Sequence, residues 1–162
     1  MRKVISVLVD NEAGVLSRVV GLFSGRGYNI ESLSVAPTLD PKRSKIVITT
    51  TGDDQVFEQI KKQLNKLINV VKVCDFSENE FVEREMILIT VSAKGENRAE
   101  VMRVAEIFRA KIVDISPRTY TLELTGNAEK LKGFIEILTP LGIVDFVRTG
   151  TIAMEREMQG RN

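Results

Sequence analysis

The sequence predicts an α+β fold built from two tandem βαββαβ domains of the ferredoxin-like type. Two observations support this prediction. Short β-branched apolar segments alternate with amphipathic helical segments in the order β-α-β-β-α-β, and the same order recurs in the second half of the 162 residues. The predicted domains are residues 1–76 and 85–154, with a polar linker at 77–84 and a charged tail at 155–162.

The first domain begins with the predicted strand Val4–Val9, whose residues are mostly β-branched. A turn at residues 10–14 leads into the predicted helix Val15–Arg26, which ends at Gly27. Its predicted apolar stripe is Leu16, Val19, Val20 and Phe23. The next elements are the strand Tyr28–Ala36, the loop Pro37–Arg43 and the strand Ser44–Thr51. A second helix, capped by Asp53 or Asp54, is predicted from the apolar stripe Phe57, Ile60, Leu64 and Leu67, and the strand Asn69–Phe76 follows it.

The second domain repeats this order after the polar linker. Its predicted elements are the strand Glu85–Ser92, the helix Arg98–Arg109, the strands Lys111–Ser116 and Thr119–Thr125, the helix Asn127–Leu138 and the strand Ile143–Thr149. In a βαββαβ sheet the strands lie in the spatial order 4-1-3-2. Strand 2 is therefore expected at an edge of each sheet.

The composition excludes several classes of function. The chain has no His and a single Cys, which excludes Ser–His–Asp and Cys–His catalysis, a Cys/His zinc site and an internal disulfide. With 23 Lys and Arg against 22 Asp and Glu, the formal charge of +1 argues against binding to nucleic acid. No apolar run approaches about 18 residues and no signal peptide is recognisable, which predicts a cytoplasmic protein without a membrane segment. The sequence predicts neither a catalytic site nor a metal site.

The predicted strand Val4–Val9 is apolar on both of its faces. A sheet that is covered by helices on one face only usually alternates apolar and polar residues more clearly. We therefore expect the second face to be buried against the other half of the chain or against another subunit, and we predict an oligomer.

Two segments carry candidate binding residues. At the first, Asn11 and Gly14 lie where the first strand turns into a helix N-terminus, whose backbone N–H groups and dipole favour a carboxylate. At the second, Asn29 opens a strand, where Asn is disfavoured. Each also has a simpler explanation: the first segment as a turn that only caps a helix, and Asn29 as a turn residue after Gly27.

The predicted topology makes the two asparagines informative together. Asn11 follows the end of strand 1 and Asn29 begins the parallel strand 2, so within one chain they face opposite ends of the sheet. Antiparallel pairing of two copies along strand 2 would bring Asn29 of one copy to Asn11 of the other. This predicts a small zwitterion bound between two protomers. Ile30, Val15 and Leu16 would suit an aliphatic side chain, but valine, isoleucine and leucine cannot be ranked.

The run NEAGVLSRVVGLFSGRGYNIESLSVAPT, residues 11–38, strongly resembles the regulatory small subunits of acetolactate synthase (acetohydroxyacid synthase), as do Asp40–Ser44 and Val82–Glu85. The resemblance implies an N-terminal ACT domain that dimerises and a C-terminal ACT-like domain. It further implies a non-catalytic subunit that binds and activates the catalytic large subunit and confers feedback inhibition by a branched-chain amino acid, usually valine. The small subunit is expected to hold no cofactor, whereas its catalytic partner is expected to use thiamine diphosphate, Mg²⁺ and FAD.

The resemblance also implies the effector-binding residues. They are Asn11, Gly14, Val15 and Leu16 of one protomer and Asn29 and Ile30 of the other, with Ser17 in the part of the motif where substitutions are expected to disturb feedback. The second half reproduces neither the turn, which reads AKGENR at residues 93–98, nor the paired amide, which falls near Ile112. We therefore expect no second effector site there and assign that half to docking with the catalytic subunit.

Two other functions remain open. The chain could be a free-standing ACT-type amino-acid sensor that regulates a different enzyme. It could also be an acylphosphatase-like enzyme, since that chemistry occurs on a ferredoxin-like sheet. The second alternative needs a phosphate cradle, and Asp10 and Glu12 beside Gly14 form an acidic corner that would repel phosphate.

Overall fold

The computed structural model describes residues 1–157. The chain divides into two compact units, Met1–Val82 together with the segment from Gly150 onward, and Glu83–Thr149. Each unit has the predicted βαββαβ order with two helices on one face of its sheet. None of the described helices combines the length and the apolar character needed to cross a lipid bilayer.

The first unit contains a sheet in the order β2-β3-β1-β4, as expected, so β2 is an edge strand. Neighbouring strands are antiparallel. Its elements are β1 (Arg2–Asp10), α1 (Val15–Ser24), β2 (Asn29–Pro37), β3 (Arg43–Thr51), α2 (Asp54–Lys66) and β4 (Val70–Asp75).

The core of this unit lies between one face of the sheet and the two helices. It contains Ile5, Val7, Val9, Val15, Val19, Phe23, Tyr28, Ile46, Ile48, Phe57, Ile60 and Leu64. The buried stripe of α1 is Val15, Val19 and Phe23, whereas Leu16 is 38% exposed. In α2 the predicted stripe residues Phe57, Ile60 and Leu64 are buried, whereas Leu67 is the C-cap and only partly buried. Asp53 caps the helix by accepting from the Gln55 N–H at 2.7 Å.

The second unit repeats the arrangement with the strand order β6-β7-β5-β8. Its elements are β5 (Phe81–Ser92), α3 (Asn97–Phe108), β6 (Lys111–Ile115), β7 (Thr119–Gly126), α4 (Ala128–Leu138) and β8 (Ile143–Arg148). Ile87, Ile89 and Val91 of the central strand pack against the two helices. The opposite sheet face of this unit carries the partly exposed Met86 and Leu88.

Two segments differ from the predicted domain bounds. The expected linker, residues 77–84, contains a 3-10 turn over Phe76–Glu78 and the first residues of β5, because the Phe76 and Phe81 rings pack together with centroids 5.2 Å apart. The expected second domain ended at residue 154, whereas residues 150–157 group with the first unit and include β9 (Ile152–Glu155). Of the expected tail, 155–162, the last five residues lie outside the described part of the chain.

The second face of the first sheet, which we call the open face, is partly covered within this unit. Val4 and Val47 on this face are buried together with Phe76 and Ala153. Part of the apolar surface that suggested an external contact is therefore buried by the chain's own C-terminal segment.

Candidate functional site

The first predicted segment forms an exposed corner between β1 and α1. Gly14 has a left-handed φ of +83°, which a residue with a Cβ rarely adopts, and it is the N-cap of α1. Unlike Asp53 on α2, it provides no side-chain cap, and the first turn of α1 contains no acidic residue. The positive end of this helix is therefore available for a carboxylate from outside.

Asn11 is held in place by the loop between β2 and β3. Its backbone N–H donates to the Lys42 carbonyl at 2.9 Å, and its side-chain Nδ2 donates to the Pro41 carbonyl at 3.0 Å. This arrangement leaves the side-chain Oδ1 as an acceptor for an ammonium group. The sequence motif contained Asn11 but gave no indication that this loop orients it.

A charged network surrounds the corner. Asp10 forms an ion pair with Arg43, and Asn69 Nδ2 donates to Asp10 Oδ2 at 3.4 Å and to Glu12 Oε2 at 3.3 Å. Asn69 Oδ1 in turn accepts from Arg18 Nη1 at 2.7 Å. The corner, expected to be acidic, therefore contains two guanidinium groups that balance its two carboxylates.

Asn29 is exposed at the start of the edge strand, and Tyr28 fixes its position. The Tyr28 ring is 7% exposed and stacks on Phe57 with centroids 6.2 Å apart, while its hydroxyl donates to the Asp53 carbonyl. Burial and the nearby carboxylates of Asp53 and Asp54 raise the pKa of Tyr28, so the hydroxyl remains a donor. The backbone that presents Asn29 is thus anchored in the core.

The two asparagines lie at opposite ends of the sheet in one chain. Asn29 is paired with Thr51 at one end of β3, whereas Asp10, which precedes Asn11, is paired with Arg43 at the other end. Eight residues of β3 separate these ends, or about 27 Å of strand. A small ligand cannot contact both asparagines of a single chain.

The other predicted residues divide by exposure. Val15 is 3% exposed and packs in the core of the first unit. Leu16 and Ser17 are exposed at the corner. Ile30 is half-buried against the core beside Asn29. In one chain, Leu16 and Ile30 are therefore more accessible than Val15.

The cavities of the first unit lie elsewhere. One of about 360 Å³ and one of about 440 Å³ are lined by residues of β4, the C-terminal segment and neighbouring elements, and by none of the seven predicted residues. Within residues 1–157, no group of three or more His, Cys, Asp or Glu side chains is placed to hold a metal ion. In one chain the predicted residues lie in two separate groups, which we call half-sites: Asn11 and residues 14–17 at the corner, and Asn29 and Ile30 at the start of β2.

Comparisons with known families match both halves of the chain. Residues 5–72 match the ACT domain of acetohydroxyacid synthase small subunits and related proteins. Residues 84–157 match a second family description, the small subunit of acetolactate synthase. The first range lies within the first unit, whereas the second spans nearly all of the second unit and extends into the C-terminal segment.

Individual relatives are similar along nearly the whole chain. The acetolactate synthase small subunit of Haemophilus influenzae is 50% identical over 157 residues, covering 96% of each protein. The isozyme 3 small subunit of Salmonella typhimurium is 49% identical with the same coverage. A crystal structure of the acetolactate synthase small subunit from Thermotoga maritima superposes with a TM-score of 0.86 at 41% identity, covering 98% of this chain and 99% of the other.

Proposed function

Since this chain belongs to the family of acetolactate synthase small subunits, we propose that it binds and activates a separate catalytic subunit and makes that subunit sensitive to feedback inhibition. The proposed effector is a branched-chain amino acid, with valine the first candidate. The family places this activity in branched-chain amino-acid biosynthesis. The carbon-transferring chemistry, with thiamine diphosphate, Mg²⁺ and FAD, is assigned to the catalytic partner.

The observation that carries the proposal is the separation of two half-sites on a sheet with an open edge. The β2 strand pairs with β3 on one side only within the described residues, and its outer edge can accept a second strand. Antiparallel pairing of two β2 strands about a two-fold axis places Asn29 of one chain at the end of the sheet where the partner has its corner. Two equivalent composite sites result.

The chemistry of the two half-sites matches the parts of an amino acid. The N-terminus of α1, next to Gly14, suits the carboxylate, and Asn11 Oδ1 suits the ammonium group. Asn29 of the second chain supplies a further amide, while Leu16 and Ile30 supply apolar surface. Because each site uses both chains, an effector stabilises one arrangement of the dimer, and the catalytic subunit bound to it experiences that bias as a coupling free energy.

Copurification with a candidate catalytic subunit tests this proposal. The catalytic subunit is expected to bind the chain, to gain activity on binding and to lose part of that activity when valine is added. A catalytic subunit whose activity responds neither to the chain nor to valine in its presence would contradict the proposal and favour a sensor for a different enzyme.

Asn29→Ala is expected to weaken valine binding about tenfold or more, since one hydrogen bond to a charged ligand contributes about 1.5–3 kcal/mol. Calorimetric titration of the purified chain measures this change. Asn65→Ala, which removes an exposed amide from α2, is the matched control and is expected to bind valine like the wild type. Unchanged affinity in the Asn29 variant would remove this residue from the site.

A further inference from the structure

The C-terminal residues 150–156, which we call the strap, cross the open face of the first sheet from one edge to the other. Gly150 lies against Leu33 and Ser34 of the edge strand β2. Ala153 is buried with residues of β1 and β3, and Glu155 reaches β4. The strap thus contacts every strand of the sheet that carries the two half-sites.

Gly150 makes the closest of these contacts. A Cβ added there would lie 2.4 Å from the Leu33 carbonyl oxygen, 2.5 Å from the Leu33 carbonyl carbon and 2.9 Å from the Ser34 nitrogen. All three atoms belong to the backbone, so a side-chain rotation cannot relieve the clash. Any larger residue would have to move the strap away from β2 or move β2 itself.

Thr151 extends the contact with β2. The residue is fully buried, its N–H faces Ser32 Oγ at 3.4 Å, and the two hydroxyl oxygens are 3.5 Å apart. Ser32 follows a shift in the β2–β3 register between Ile30 and Ser32, where Glu31 is an extra residue. The strap therefore contacts β2 at Ser32, immediately after the bulge at Glu31. This bulge lies between the strap contact and the proposed binding residues Asn29 and Ile30.

The far end of the strap is anchored on β4 and the turn that follows it. The Glu155 carboxylate accepts from Cys74 Sγ at 3.1 Å and from Asn79 Nδ2 at 3.0 Å, and the Arg156 N–H donates to the Glu80 carbonyl at 2.9 Å. Burial, together with the Glu155 carboxylate, raises the pKa of the Cys74 thiol to about 11, which keeps it protonated as the donor at neutral pH. With this end fixed, the Gly150 end cannot slide freely along β2.

We propose that the strap, through the contacts of Gly150 and Thr151 with β2, couples occupancy of the amino-acid site to the second unit. Gly150 directly follows Thr149, the last residue of that unit, so a shift of β2 on effector binding acts on the point where the second unit ends. The inference rests on the proposed function, because it needs an effector that contacts Asn29 and Ile30.

Gly150→Ala and Thr151→Val test the coupling in the complex with the catalytic subunit. Thr151→Val keeps the shape of the side chain and removes the hydroxyl that faces Ser32. Gly133→Ala in α4 is the matched control, because its added Cβ would meet only the Phe108 ring at an ordinary 3.9 Å. Each variant is measured for valine affinity by calorimetry and for activation and inhibition of the catalytic subunit.

Both strap variants are expected to activate the catalytic subunit and to bind valine within a few-fold of the wild type. The valine concentration for half-inhibition is expected to rise at least about fivefold, the lower end of typical coupling between sites. The Gly133 variant should behave like the wild type in all three measurements.

Two results would overturn the inference. One is wild-type inhibition in both strap variants. The other is a parallel loss of valine affinity and inhibition, which would show that the strap only stabilises the fold. Failure of the proposed function can be distinguished from failure of this inference, because in the former case the wild-type complex itself would bind no valine or show no inhibition. If Gly150→Ala does not fold, the same measurements on the less disruptive Thr151→Val variant test the inference.

Discussion

Gly14→Asp is expected to abolish the valine response, with affinity lowered by about a hundredfold or more. The added Cβ has no heavy atom within 4 Å, so the substitution fits sterically, although the left-handed φ of +83° adds some strain. The larger effect is electrostatic. A carboxylate at this corner occupies the helix terminus proposed for the ligand carboxylate and repels it, and like charges placed together in an interface cost several kcal/mol.

Gly14→Asn separates charge from shape in this experiment. Asn has nearly the same size as Asp, tolerates the left-handed conformation and carries no charge. Calorimetry is expected to show a much smaller loss of valine affinity for Asn than for Asp. Full valine sensitivity in the complex with the Asp variant would mean that no carboxylate binds at this corner.

Phe57→Ala is expected to have the largest effect on stability, at about 3–5 kcal/mol for a fully buried aromatic side chain. Phe57 is 1% exposed, stacks on Tyr28, and has the Lys3 and Lys61 ammonium groups 5.5 and 5.6 Å from its ring centroid. Its removal leaves a cavity and withdraws support from Tyr28, which anchors the start of β2. Valine binding should therefore weaken together with stability.

Denaturant unfolding of Phe57→Ala and Phe146→Ala measures this difference. Phe146 on β8 is 38% exposed, and its truncation is expected to cost about 1 kcal/mol or less. Similar losses for the two variants would show that Phe57 does not hold the first core together.

The sequence allowed the fold to be predicted where local signals and tertiary packing agree. The apolar spacing of Phe57, Ile60 and Leu64 identified α2 and its buried face correctly. On α1 the predicted stripe was wrong in placing Leu16 on the buried face, because either member of the adjacent pairs Val15–Leu16 and Val19–Val20 fits a helical stripe. The packing of the helix on the sheet selects Val15 and Val19.

The strand β9 could not be predicted because its stability comes from distant residues. Its four residues have no helical or strand period long enough to recognise, and Ala153 is buried together with Val4, Val47 and Phe76 on the open face. The close approach of Gly150 to β2 is likewise invisible in the sequence, where the residue is an ordinary glycine between two threonines.

The candidate site was only partly accessible from the sequence. The motif and the topology placed Asn11 and Asn29 at opposite ends of the sheet, as the strand register shows. The residues that orient the corner are remote in sequence, namely Pro41, Arg43 and Asn69. The predicted strand order did contain a usable signal, since it places the starts of strands 3 and 4 beside the end of strand 1.

The central claim is that each amino-acid site is shared between two copies of the chain, and a mixed dimer tests it most directly. Asn11→Ala and Asn29→Ala, carrying different affinity tags, are coexpressed and the doubly tagged dimer is isolated. Two-fold symmetry then leaves one site with both asparagines and one site with neither. The account predicts about one valine bound per mixed dimer at close to wild-type affinity, although each parental homodimer binds weakly. A mixed dimer that binds valine as poorly as both parents would show that each site lies within a single chain.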